Sequence, residues 1–133
     1  MKHDEVNVTV PTDAELSIFN DRVIEDLYGG DSFPGAKKVY RECAKRFNET
    51  LEGRLGKLVA AIEAGSYKDI CYGAHQLKGS FNSMGSPLMG HCCELLESSA
   101  NAGNQLSCQS QFEKIEVLLP EFVKRLDQFL TSM

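Results

Sequence analysis

Apolar residues recur at three- and four-residue steps along most of the chain, and that spacing restricts it to helices. The longest run, Tyr40, Cys43, Phe47, Leu51, Leu55, Leu58 and Ile62, marks one side of a single long helix. A strand needs alternation instead. Only Val6, Val8 and Val10 alternate, and one short strand would have no partner to pair with.

Punctuation divides the pattern into five helices. Thr12 followed by Glu15 makes a capping box, and Leu16, Phe19, Val23, Ile24 and Leu27 continue it as a first helix ending near Gly29–Gly30. Asp31 or Ser32, with Pro34 in the first turn, opens the long second helix, which Gly53 and Gly56 weaken and Gly65 closes. Ser66, with Asp69 as its N3 acid, starts a third helix ended by Gly85. Ser86–Pro87 starts a fourth, lined by Leu88, Cys92, Leu95, Leu96 and Ser99 and stopped at Gly103.

The last helix spans about residues 107–130, with Phe112, Ile115, Leu119, Phe122, Leu126 and Phe129 as its stripe. Pro120 inside it predicts a kink or a missing backbone bond. Four amphipathic helices with short connections predict an all-α fold, an antiparallel four-helix bundle with an additional short N-terminal helix. Residues 1–11 are expected to form a flexible tail and residues 12–133 a single domain.

The bulk numbers narrow the function. A chain of 133 residues can bury a core without staples. With 14 basic and 19 acidic residues and a net charge of -5, it lacks the clustered cations that nucleic acid or an anionic membrane demands. No apolar run reaches a membrane span, and the N-terminus does not read as a signal peptide, so a cytoplasmic location is expected. Five cysteines, Cys43, Cys71, Cys92, Cys93 and Cys108, include no C-x-x-C pair and read as small apolar packers rather than a disulfide framework. His91 beside Cys92 and Cys93 lacks metal-ligand spacing, so no metal site is expected. Lys37, Lys38, Arg41 and Lys45 read as a solvated helix side.

The third helix carries an unusual face. Ile70, Ala74, Leu77, Phe81 and Met84 gather as its core stripe, whereas His75 shares another face with Cys71, Lys78, Gly79 and Asn82. A neutral imidazole is a competent nucleophile near pH 7. A lysine one turn on can steady phosphoryl oxygens. Gly79 costs roughly 1 kcal/mol against Ala inside a helix, a cost that a partner's need for clearance would explain. Spacing alone leaves the plainer readings open: a solvated histidine, a solvated lysine, and a glycine that marks close helix packing.

The run His75-Gln76-Leu77-Lys78-Gly79-Ser80, with Gly85 beyond it, resembles the signature H-x-L-K-G-S/A-x-x-x-x-G of histidine-containing phosphotransfer domains. Cys92, Leu95, Glu97 and Gly103 resemble the family's fourth helix, which often reads C-x-x-L-E before a terminal glycine. The stretch from Ala60 to Gly65 resembles the family's approach to its histidine helix, with Ser66 and Asp69 replacing the usual Gly-Asp junction. The likeness spans about residues 33–130. Phe81 departs from it, standing where many members carry a small residue; its position on the wheel faces the core.

The resemblance implies a four-helix bundle with His75 as the phospho-accepting residue, attacking through Nε2. Lys78 would meet the phosphoryl group, Gly79 would give a partner clearance, and Gln76 and Asn82 would help at the rim. Cys71 would belong to the same docking face. The implied partners are receiver domains of hybrid histidine kinases and response regulators; a monomer is expected separately, since one bundle can bury its own stripes. No cofactor is implied for this chain, since Mg²⁺ sits in the receiver. The chain has no G-x-x-x-x-G-K-S/T loop and no kinase glycine cluster. Two alternatives stand beside this reading. A histidine-kinase dimerisation module usually has an acidic residue after its histidine and a proline nearby, where this chain has Gln76 and no proline before Pro87. A helical adaptor without phosphorylation would use the same bundle for binding alone.

Overall fold

The computed structural model describes residues 16–28 and 35–133. Five helices follow in order: α1 Asp21–Tyr28, α2 Ala36–Ala64, α3 Tyr67–Ser83, α4 Pro87–Asn101 and α5 Gln105–Ser132. No strand occurs among the described residues. The bundle expected from the apolar spacing is the fold observed, with α1 as the short extra helix.

Most helix ends fall at the expected residues. Gly65, Gly85 and Gly103 all have positive φ, the backbone state that only glycine adopts cheaply. The Ser86 hydroxyl accepts from the Met89 N–H at 3.2 Å, and Pro87 occupies the first turn of α4. Ser66 departs from the expected capping box, because its hydroxyl donates to the Asp69 carboxylate at 2.9 Å instead of accepting a backbone N–H. Helix α5 starts two residues before the expected position, since Asn104 caps it by accepting from the Ser107 N–H at 3.0 Å. The helix runs unbroken through Pro120, whose exposed position faces solvent.

The first helix is shorter than its apolar spacing predicts. Residues 16–20 are not helical, and Asn20 starts the helix by accepting the Arg22 N–H on its side-chain oxygen at 3.0 Å. This segment instead crosses the turn between α3 and α4. The Asn20 N–H donates to the Gly85 carbonyl at 2.7 Å, and the Leu88 N–H donates to the Ser17 carbonyl at 3.1 Å. The Thr12–Glu15 box, the alternating valines, the expected tail at residues 1–11 and the Asp31, Ser32 and Pro34 signals lie outside the described residues.

The core follows the stripes. Ile70, Ala74, Leu77 and Phe81 of α3, and Met84 at its C-cap, are all buried. Phe81 stands edge-on to Phe47 and to Phe122, with ring centroids 5.4 Å away in both cases. Complete burial of a side chain of that size stabilises the fold by about 1.5–3 kcal/mol. The Tyr40 hydroxyl, fully buried, donates to the Met84 carbonyl at 3.2 Å and fixes α2 against the end of α3. One residue of the α2 stripe differs from expectation. Cys43 is exposed and Ala44 lies in the core, because the stripe through Tyr40 and Phe47 passes four and three residues from Ala44.

Candidate functional site

Helix α3 presents two margins to solvent, and each is built against a different neighbour. Cys71, His75, Lys78 and Asn82 run along the margin beside α4. The Cys71 thiol donates to Asn101 Oδ1 at 3.1 Å and to the Glu97 carbonyl at 3.6 Å. His75 Nδ1 lies 3.3 Å from Glu97 Oε2. Lys78 Nζ lies 3.7 Å from Glu94 Oε2. The Asn82 amide rests so close over Gly90 that a Cβ there would overlap it. Residues ascending α3 thus meet residues descending α4, the register of an antiparallel pair.

The second margin faces α2. Gly79 and Ser80 line a groove with Phe47, Gly53 and Arg54. The Arg54 guanidinium donates to the Ser80 hydroxyl at 2.9 Å and lies 5.7 Å from the centroid of the Phe47 ring. Burial lowers the Arg54 pKa from its ordinary value, and the neighbouring Cys93 opposes that shift. Gln76 is exposed between the margins and donates to the Tyr72 hydroxyl at 3.0 Å.

The residues picked from the sequence therefore line the side of α3 that carries His75, but they are not equivalent. The His75 side chain is 68% exposed, held by a helix whose opposite face is fully packed. The Lys78 side chain is half-buried. Gly79 has nothing within 4 Å of the space a Cβ would take, so close helix packing does not explain this glycine. Gly90 shows what a packing glycine looks like in the same molecule. Cys71 is drawn partly into the α3–α4 seam, and burial with the nearby Glu97 raises its thiol pKa.

Sequence reading missed the roles of Glu94, Glu97 and Arg54. The C-x-x-L-E spacing holds strictly for Cys93, Leu96 and Glu97 rather than for Cys92 and Leu95. Cys93 and Leu96 are fully buried, and this anchors the helix so that Glu97 emerges beside His75. His91, weighed as part of a metal site, has its Nδ1 3.8 Å from Glu94 Oε1.

The geometry suits an imidazole that reacts through Nε2. With the proton on Nδ1, that nitrogen donates to the Glu97 carboxylate and the lone pair resides on Nε2. The Hpt domain family matches residues 42–130, a span that contains the whole of this arrangement. The chain belongs to the Hpt domain family. Among solved structures, it is similar to the crystal structure of histidine-containing phosphotransfer protein B from Pseudomonas aeruginosa, with a TM-score of 0.70 and 24% sequence identity. That likeness covers 88% of this chain and 97% of the other, and it speaks for the fold. No curated protein matches the chain. Hpt proteins are phosphocarriers of phosphorelays rather than enzymes in their own right, and they work with receiver domains of two-component systems. No helix among the described residues is long and apolar enough to cross a membrane.

Proposed function

We propose that this Hpt chain takes a phosphoryl group onto Nε2 of His75 from the aspartate of one receiver domain and hands it to the aspartate of another. The observation that carries the reading is an exposed imidazole on a packed helix, with Nδ1 turned to Glu97 and Lys78 one turn away. The Nε2 lone pair forms the new P–N bond while the P–O bond to the aspartate breaks, and that electron pair returns to the carboxylate. The ring then holds positive charge next to the Glu97 carboxylate. Lys78 supplies an ammonium to the phosphoryl oxygens. Transfer onward is the same exchange in reverse.

Mg²⁺ belongs to the receiver in this reading and completes the charge balance there. The receiver docks on the face around His75, with Gln76 and Gly79 on its α2 side and Asn82 and Cys71 on its α4 side. The chain acts as a cytoplasmic monomer. Treatment with the small donor phosphoramidate, followed by peptide mapping at alkaline pH, tests the site without a partner. The phosphoryl group is expected on the peptide that holds His75, and modification elsewhere would overturn the assignment.

A further inference from the structure

The α3–α4 seam holds more negative charge than a phosphoryl acceptor wants. Glu97 faces His75, and Glu94 faces Lys78 at 3.7 Å, so the ammonium already has a carboxylate partner before the phosphoryl group arrives. The second Glu94 oxygen lies 3.8 Å from His91 Nδ1 on the same helix. The incoming group brings about two further negative charges. Lys78 cannot serve Glu94 and the phosphoryl oxygens equally.

We propose that Glu94 sets the phosphoryl-transfer potential of His75 by competing with the phosphoryl group for Lys78. The proposal rests on the reading that His75 is the acceptor. Glu94 touches neither the phosphoryl group nor the ring, so it is a positioning residue that acts through the lysine. Its effect is to loosen the hold on the phosphoryl group, moving the chain from a store toward a donor. The pair is partly exposed, with side-chain exposures of 32% for Lys78 and 55% for Glu94, so the effect is modest and sensitive to salt.

The test is the equilibrium partition of phosphoryl group between the full chain and an isolated receiver domain with Mg²⁺, starting from chain charged with phosphoramidate. Glu94→Gln is expected to raise the equilibrium ratio of phosphorylated chain to phosphorylated receiver by up to about fivefold at low ionic strength. The shift is expected to shrink toward wild type near 1 M salt, which a merely structural change would not do. In a Lys78→Ala background, Glu94→Gln is expected to change nothing further. An unchanged partition, with wild type labelled at His75, overturns the role of Glu94 and leaves the carrier reading intact. A shift that persists without Lys78 also overturns it. Absence of label at His75 in wild type overturns the carrier reading, and this proposal falls with it.

Discussion

His75 Nδ1 lies 3.3 Å from the Glu97 carboxylate, a pairing between residues on two antiparallel helices. It assigns the two ring nitrogens different work, one held and one free. Glu97→Ala is expected to slow phosphoryl uptake by about two- to fivefold, the scale of one largely exposed ion pair. Glu97→Gln should fall between, because its amide oxygen still accepts from Nδ1–H but carries no charge. Rates of labelling by a phosphorylated receiver, measured beside circular dichroism, check both.

Gly79 has open space where a side chain would begin, unlike Gly90 under Asn82. Gly79→Ala is expected to keep the fold and stabilise it by up to about 1 kcal/mol, since it removes a helix-interior glycine. A larger residue such as Leu should slow exchange with a receiver while labelling by phosphoramidate stays at the wild-type rate. Slowing of both reactions alike would show that Gly79 serves the imidazole rather than the partner.

This contrast shows what could be read from the sequence and what could not. Periodicity gave the core stripe of α3, and glycine and Ser-Pro signals gave the C-terminal ends of α2, α3 and α4 and the start of α4, because those are local effects of backbone geometry, whereas α2 starts only at Ala36, after Gly35. Residues 16–20 misled, since their apolar spacing suits a helix while Ser17 and Asn20 bond to the distant α3–α4 turn. Cys71 shares a helical face with His75 by spacing, yet its thiol turns to Asn101, a neighbour 30 residues away. The pairings of Glu94 with Lys78 and of Glu97 with His75 were hidden for the same reason. Their importance comes from the register of α4 against α3, which no single helix encodes.

Phe81 fills the centre of the bundle, where many relatives are expected to carry a small side chain. Phe81→Ala is expected to cost about 3–5 kcal/mol, since Phe47 and Phe122 lose their shared edge contact and a cavity remains. Denaturant unfolding measures this directly. A loss under about 1 kcal/mol would mean that the surrounding rings collapse into the space.

Burial pushes the Cys93 thiol up to about 12 from 9.0, with Cys92 adding to the rise and Arg54 opposing it. Burial likewise raises the Tyr28 phenol to about 12 from 10.0, with Cys43 adding to the shift. Both groups keep their protons more tightly folded than unfolded. Their contribution to stability is therefore complete below the unfolded pKa values and is lost as pH rises through about 12. Denaturant midpoints should fall progressively above about pH 9. A thiol reagent at pH 8 should modify exposed Cys43 first and reach Cys92, Cys93 and Cys108 only on unfolding.

The carrier role itself is tested most directly by transfer from a phosphorylated receiver domain, with Mg²⁺ present, to the native chain and to His75→Gln. An acid-labile, base-stable label is expected on the native chain and none on the variant, with both folded by circular dichroism. Equal labelling of the two would contradict it and move the phosphoryl group away from His75.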